Sequence, residues 1–142
     1  MSDYNNRFGG IARLYGQTAF EKLQQSHICV IGIGGVGSWA AESLARTGVG
    51  HITLIDHDDI AESNINRQIH SLSNTIEQSK VETMAESIQQ INPACKVHII
   101  DDFISTTNCK EYLDNNYNYV IDAIDSIKFK CAIIYYCKRN KI

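Results

Sequence analysis

A glycine-rich segment constrains the fold of this chain more than any other feature. It reads Cys29-Val30-Ile31-Gly32-Ile33-Gly34-Gly35-Val36-Gly37, which contains the pattern G-x-G-x-x-G and one additional glycine at position 35. The segment predicts a buried strand, a tight turn and the start of a helix. Such a turn presents backbone N–H groups to phosphate. Because the pattern fits NAD-binding domains and ATP-binding adenylating enzymes equally well, the choice between them depends on later residues.

The composition predicts a single soluble domain. The chain has 142 residues, of which 44% are hydrophobic, and a formal net charge of -3. This length is enough for one hydrophobic core and too short for two domains. No apolar run approaches the ~18 residues of a membrane span, and the N-terminus lacks a signal segment, so we expect a cytoplasmic protein. The five cysteines include no C-x-x-C pair, which argues against a zinc site. Cys29 and Cys131 fall in apolar patterns and are expected in the core.

Hydrophobic periodicity predicts alternating helices and strands. An amphipathic helix is expected at 10–25, with an apolar stripe that includes Leu14 and Tyr15. Strands are expected at 27–33, 51–56, 96–100 and 119–122. The helix after the glycine turn is expected to bury Val36 and Trp39 and to end at Gly48, and further helices are expected at 75–90, 104–115 and 126–139.

This alternation predicts a Rossmann-like, doubly wound and mainly parallel α/β sheet preceded by an N-terminal helix. Residues 1–142 would form a single domain. Because the sequence stops after a helix, where such a sheet would continue with another strand, we expect it to be the N-terminal portion of a longer protein.

Charged residues after the strands narrow the choice of ligand. Asp56 follows Gly32 by 24 positions, which is close to the ~20 residues at which an acid reaches a ribose hydroxyl. In Ser63-Asn64-Ile65-Asn66-Arg67-Gln68 the arginine is suited to bidentate contact with phosphate oxygens, and Lys80 supplies a second cation. Asp122 and Asp125 offer oxygen ligands for Mg²⁺, with Asp125 as the preferred ligand and capping of the following segment as the alternative role of Asp122. Two cations and a metal ligand favour nucleotidyl transfer over hydride transfer.

These motifs, in this order and spacing, resemble the adenylation domain of the ubiquitin-activating superfamily, which includes the bacterial activators of thiamine and molybdopterin sulfur carriers. The resemblance extends over nearly the whole chain. Within the superfamily, the segments 7–16, 38–42, 66–70 and 120–126 are most similar to the tRNA threonylcarbamoyladenosine dehydratases.

The resemblance implies ATP and Mg²⁺ as ligands. It implies nucleotide contacts for Gly32, Gly34, Gly35, Gly37, Asp56, Asp58, Ser63, Asn64, Asn66, Arg67, Gln68, Lys80 and Ser126. It implies Asp125 as the metal ligand and Arg13, Arg67, Lys80 and Asp125 as catalytic residues. Arg13, or alternatively Arg7, would reach the ATP of the other subunit of a homodimer. Gly35 would lie closest to the nucleotide, and a side chain there is expected to do the most harm.

Three functions remain open from the sequence. The first is an ATP-dependent enzyme that adenylates the carboxylate of threonylcarbamoyladenosine in tRNA and closes the ring with net loss of water. The second is an adenylyltransferase that activates the C-terminus of a ubiquitin-like sulfur carrier, with a sulfur-transfer protein as partner. The third is a fragment that binds nucleotide without enzymatic activity.

Overall fold

The computed structural model, which describes residues 2–142, contains a parallel sheet of four strands. The strands are β1 (His27–Ile31), β2 (His51–Ile55), β3 (Lys96–Ile100) and β4 (Tyr119–Asp122). They pair in the order β3-β2-β1-β4, all in parallel. The strand order reverses at β1, because β2 and β3 lie on one side of it and β4 on the other. The predicted doubly wound α/β fold is confirmed, and its ligand crevice is expected beyond the carboxyl end of β1.

Six α-helices surround this sheet in the described part of the chain. They are α1 (Ser2–Tyr15), α2 (Gln17–Gln25), α3 (Gly37–Arg46), α4 (Lys80–Ile91), α5 (Cys109–Leu113) and α6 (Ile127–Asn140). Serine side chains cap two of the N-termini, since Ser79 accepts a hydrogen bond from Glu82 N and Ser126 accepts one from Phe129 N. α3 ends as predicted, because Gly48 follows it with a φ of 86°. None of these helices is long and apolar enough to span a membrane.

The N-terminal segment differs from the single helix predicted for it. α1 begins earlier, and Gly16, with a φ of 90°, separates it from α2. This break changes the direction of the chain, so Tyr4, Phe8 and Phe20 form the buried cluster. Leu14 and Tyr15 are exposed, and the apolar stripe predicted through them is wrong.

Three other elements, β1, α4 and α5, have predicted boundaries that are wrong by two residues or more. β1 ends at Ile31 because Gly32 turns the chain with a φ of 85°. α4 begins only at Lys80, since residues 73–77 form turns and Glu77 has a φ of 70°. α5 is short because the residues before it form a turn in which Asn108 Oδ1 accepts from Ser105 N.

The two faces of the sheet bury alternating residues of each strand, as the pleat requires. One face packs against α3 and α4 with residues that include Val30, Leu54, Ala41, Met84 and Ile88. The other packs against α5 and α6 with residues that include Ile31, Ile55, Leu113 and Ile133. Cys29 is buried as predicted, whereas Cys131 is exposed on the outer side of α6. Val36 and Trp39 are also exposed, contrary to prediction, because α3 buries a different set of positions, Gly37, Ser38, Ala41 and Ala45.

Candidate active site

A cavity of about 650 Å³ lies beyond the carboxyl ends of the strands. Residues that follow each of the four strands line it, as expected at the point where the strand order reverses. Its volume suits a small-molecule ligand. The predicted residues that line it are Gly32, Gly34, Gly35, Asp56, Asp58, Asn64, Arg67, Gln68, Lys80, Asp125 and Ser126.

The glycine turn forms the floor of this cavity. An ideal Cβ at Gly37 would lie 1.6 Å from Gly32 O, and one at Gly32 would lie 2.7 Å from Ala123 O. These two glycines are therefore required by the fold itself. A Cβ at Gly35 would lie 3.6 Å from the Arg67 side chain, which is ordinary contact. The expectation that Gly35 is the most sensitive glycine is wrong for the folded chain, and its role toward a nucleotide stays a prediction.

The turn leaves backbone donors free for a ligand. Ile33 N donates to the Asp56 carboxylate. Within residues 2–142, neither Gly34 N–H nor Gly35 N–H donates to an acceptor of the chain. Both groups precede the N-terminus of α3, so they can bind an anion together with the positive end of that helix.

Contacts on both its backbone and its side chain fix Arg67 beside this turn. The guanidinium Nη1 donates to Ser63 O at 3.1 Å and to Asn66 Oδ1 at 2.9 Å. Trp39 Nε1 donates to Arg67 O at 2.9 Å. Ser63 and Asn66, predicted to contact the nucleotide, do not line the cavity and instead orient Arg67. Trp39 was predicted in the core, but it is exposed, and its indole donates to the Arg67 backbone from the solvent side.

Lys80 is an almost fully buried cation. Its side chain is 8% exposed, and Nζ lies 3.6 Å from Asp58 Oδ2. The backbone of Lys80 also donates to Asp58 O at 3.1 Å. Burial of an unpaired ammonium group is strongly unfavourable. Asp58 therefore stabilises the charge of Lys80 at the cavity wall.

Asp56 connects the glycine turn to the loop after β2. One carboxylate oxygen accepts from Ile33 N at 2.6 Å and the other from Asp58 N at 2.8 Å. An ionised carboxylate can accept about four hydrogen bonds, so about two remain for ligand hydroxyl groups. The position of Asp56 at the end of β2 is thus compatible with the predicted ribose contact.

Gln68 and His70 are buried behind the glycine turn. Gln68 lines the cavity at 6% exposure, and its Oε1 is a buried acceptor without a partner in the described chain. Buried polar atoms are normally hydrogen-bonded, so this amide suits a ligand that donates to it. His70 Nε2 pairs with Ile33 O at 2.7 Å, and burial lowers the pKa of His70. Its role is structural.

The two acids after β4 have different environments. Asp122 Oδ2 lies 2.9 Å from Lys130 Nζ, and Oδ1 accepts from Ile124 N at 3.2 Å. Asp122 therefore caps the turn that follows β4, in line with its alternative role, while Ser126 is the N-cap of α6. Asp125 is exposed and lines the cavity. The described residues hold no group of three His, Cys, Asp or Glu side chains that could bind a metal alone. One carboxylate fits Mg²⁺ that takes its other ligands from phosphates and water.

Two predicted residues lie outside the cavity lining, in addition to Ser63 and Asn66. Gly37 is buried in the first turn of α3, and Arg13 is exposed near the end of α1. The sequence reasoning missed Asp102, Phe103 and Ile104, which line the cavity after β3, as well as Phe129 of α6. The first three could have been found from their position directly after β3, because residues directly after the other three strands were selected as site residues on that ground.

Comparison with known proteins agrees with this geometry. The profile of the ThiF family matches residues 6–142. A tRNA threonylcarbamoyladenosine dehydratase of Haemophilus influenzae is 58% identical over all of this chain and 54% of its own length. That of Bacillus subtilis is 42% identical over 89% of this chain and 50% of its own. The E. coli dehydratase crystallised with ATP has a TM-score of 0.99 and 56% identity, covering 100% of this chain and 58% of that one. The chain thus spans about half the length of the curated relatives it matches.

Proposed function

The chain belongs to the ThiF family, and from this premise we propose that residues 1–142 form the adenylation domain of an ATP-dependent tRNA threonylcarbamoyladenosine dehydratase. The observation that carries the proposal is the convergence of free glycine N–H groups, Arg67, Lys80 and Asp125 on one cavity. The high identity to named dehydratases supports the choice of substrate.

The order of the strands supports one orientation of the nucleotide. Asp125 follows β4, the glycine turn follows β1 with Arg67 of the segment after β2 beside it, Asp56 follows β2 and Phe103 follows β3. Neighbouring strands lie about 4.8 Å apart, so these groups form a row across the edge of the sheet. The triphosphate then lies over β4 and β1, the ribose over β2 and the base over β3. Asp125 would hold Mg²⁺, which neutralises phosphate charge when it is bound.

The proposed reaction needs no nucleophile from the chain. A carboxylate oxygen of the substrate attacks the α-phosphorus of ATP, and the bond from that phosphorus to the β-phosphate bridging oxygen breaks. Pyrophosphate leaves, and an acyl-adenylate forms. Ring closure on the modified adenosine then expels AMP, with net loss of one water from the nucleoside. Arg67, Lys80 and the glycine N–H groups act by positioning the phosphates and stabilising their developing charge.

We further propose that the protein acts as a homodimer in which Arg13 reaches the partner's cavity. Arg7 is committed within its own chain, since it pairs with Asp3 at 2.9 Å and donates to Ile91 O at 3.2 Å. Arg13 is exposed, and the exposed apolar side chains of Leu14 and Tyr15 follow it. Val36 and Trp39 form a second exposed apolar surface near the cavity. Contact between these surfaces in two copies would bury both and bring Arg13 to the phosphates.

Substrate-dependent exchange of pyrophosphate into ATP tests the proposed function. Exchange should require tRNA that carries threonylcarbamoyladenosine, and the nucleoside product should be lighter by one water. Arg67→Ala should abolish exchange. Arg46→Ala should not, because within residues 2–142 Arg46 is exposed and pairs with Glu42 of α3, outside the cavity lining. Exchange that instead requires a carrier protein with a C-terminal carboxylate, or binding of NAD and not ATP, would contradict the proposal.

Mixing two inactive variants tests the dimer. Arg13→Ala and Arg67→Ala should each be inactive alone. In a mixed dimer, the cavity of the Arg13→Ala subunit keeps its own Arg67 and receives Arg13 from its partner, so activity should reappear. If Arg13 acts within its own chain, mixing restores nothing.

A further inference from the structure

The loop from β3 to α5, residues 101–108, is held by side chains on both sides of Phe103. The hydroxyl of Tyr112 donates to Asp102 Oδ2, and the other oxygen of that carboxylate accepts from Phe103 N at 2.7 Å. Asn108 Nδ2 donates to Phe103 O at 2.7 Å, while its Oδ1 accepts from Ser105 N at 2.7 Å. Both backbone hydrogen-bonding groups of Phe103 are therefore satisfied by polar side chains of its own loop and its neighbours.

The support for this arrangement comes from the core. Tyr112 lies on α5, whose Cys109 and Leu113 are buried against the sheet. The carbonyl of Tyr112 also accepts from the hydroxyl of Tyr117, just before β4, at 2.9 Å. The Tyr112 hydroxyl thus connects a packed helix to the residue that directly precedes Phe103.

The side chain held in place by these bonds is an exposed aromatic ring. Phe103 is 59% exposed and lines the cavity. Its ring centroid lies 4.6 Å from that of His57, whose Nδ1 is 3.4 Å from Asp101 Oδ1. Ile104, which follows it, is buried beneath the same loop. The loop therefore presents an exposed aromatic surface at the β3 end of the cavity, which is also lined by Asp125 after β4 and by Arg67 beside the glycine turn.

We infer that Tyr112 is a positioning residue for nucleotide recognition, which fixes Asp102 and thereby the loop that offers Phe103 to the base. This inference rests on the proposed function, which orients the base toward β3. Phe103 would be the base-contacting residue, and Tyr112 would act only through Asp102. A planar base and an aromatic ring interact through their faces and through burial of apolar area, so the position of the ring decides the strength of that contact.

The protonation states favour a persistent bond at neutral pH. Hydrogen bonds from the Tyr112 hydroxyl and from Phe103 N–H lower the pKa of Asp102. The hydrogen bond between the Tyr112 hydroxyl and Asp102 raises the pKa of Tyr112 to about 12. Asp102 is therefore ionised and Tyr112 keeps its proton, which makes the bond charge-assisted and stronger than one between neutral groups.

Tyr112→Phe tests the inference because it removes the hydroxyl and keeps the ring. The matched control is Tyr135→Phe on α6, where the lost hydroxyl accepts from Arg139 in the described part of the chain and lies outside the cavity lining. Calorimetric titrations would compare ATP with inorganic tripolyphosphate, which has no base. Tyr112→Phe should weaken ATP binding roughly five- to tenfold, as expected for loss of one hydrogen bond of ordinary net strength at a solvent-accessible loop. Tripolyphosphate binding should be unchanged, and Tyr135→Phe should match the wild type for both ligands.

Each other outcome contradicts a separate step. Equal loss for ATP and tripolyphosphate would show a general disturbance of the cavity, and unchanged ATP binding would show that the hydroxyl positions nothing. Either result overturns the inference and leaves the proposed function intact. A wild-type chain that does not bind ATP rejects the proposed function and the inference together.

The hydrogen bond itself can be tested without nucleotide. Carboxyl NMR titration of Tyr112→Phe should show the pKa of Asp102 raised toward its ordinary value. Asp102→Asn, which keeps an acceptor oxygen, should lose less ATP affinity than Asp102→Ala. An unchanged Asp102 titration in Tyr112→Phe would mean that the bond is not formed in solution, and the inference would fall.

Discussion

Alanine substitutions at Gly37 and Gly35 should separate folding from ligand binding in the glycine turn. A Cβ at Gly37 would lie 1.6 Å from the carbonyl oxygen of Gly32 and 2.7 Å from its carbonyl carbon. Both are backbone atoms, which cannot rotate away as a side chain can. Relief requires the turn or the start of α3 to move by more than an ångström, and that movement disturbs the packing of α3 on the sheet.

The expected magnitude follows from this overlap. Overpacking of a core typically costs 1–3 kcal/mol, and a contact with rigid backbone belongs at the upper end, about 3 kcal/mol. For a chain of 142 residues the unfolding entropy is about 0.3 kcal/mol/K, so Tm should fall by about 10 °C. The Cβ of Gly35→Ala instead meets Arg67 at 3.6 Å, and Tm should stay within about 2 °C of the wild type. Its ATP affinity should fall, because the new methyl group occupies the phosphate side of the turn.

Thermal denaturation followed by circular dichroism and calorimetric titration with ATP measure the two effects. Gly9→Ala is a suitable control, since its Cβ would meet only the end of the Arg13 side chain at 3.9 Å and alanine favours the helix. It should melt at or above the wild-type temperature. A Tm for Gly37→Ala within 2 °C of the wild type would refute the steric argument. Undiminished ATP binding by Gly35→Ala would refute the placement of the nucleotide at this turn.

Three further predictions concern charged and titratable groups. Asp58→Asn removes the counter-ion of buried Lys80, so ATP affinity and Tm should both fall, as titration and thermal denaturation would show. Asp125→Asn should bind ATP equally in Mg²⁺ and in EDTA, whereas the wild type should bind more tightly with Mg²⁺. Burial and the nearby His51 and His98 lower the pKa of His27 to about 4. In the unfolded chain the His27 imidazole has its ordinary pKa of about 6.5, so between pH 6.5 and 4 the unfolded chain binds more protons than the folded chain. Urea titrations should therefore show stability falling from pH 6.5 to 4, and less steeply in His27→Gln.

Local sequence patterns located all four strands and the exact bounds of two of them, and they were insufficient for most helix boundaries. Both Lys96–Ile100 and Tyr119–Asp122 have the predicted bounds, because short apolar runs flanked by polar residues leave little choice of register. Gly16 has a φ of 90°, which no neighbouring residue predicts. Because a glycine is tolerated inside a helical pattern, the sequence did not indicate that the helix breaks there. The late start of α4 likewise depends on tertiary contacts, since Ile60 N donates to Gln78 O and Glu77 N to Ile60 O.

The location of the candidate site was easier to predict than the contacts that support it. Gly34, Arg67, Lys80 and Asp125 line one cavity, because parallel strands bring their carboxyl ends to one edge. Arg13, in contrast, lies outside this cavity, and a role for it depends on a second copy of the chain, which no pattern within one sequence can place.

A phosphate or a metal ion accepts few kinds of partner, so residues that contact a ligand carry a recognisable type and spacing. A residue that positions such a partner needs only one suitably placed hydrogen bond or charge, and many side chains satisfy that condition. Trp39, Asp58 and Tyr112 illustrate the difference, since they hold Arg67, Lys80 and Asp102 through an indole, a carboxylate and a phenol. Their partners are 28, 22 and 10 positions away in sequence, distances that no short motif spans. Related chains that keep every ligand-contacting residue can therefore differ in affinity through such positions alone.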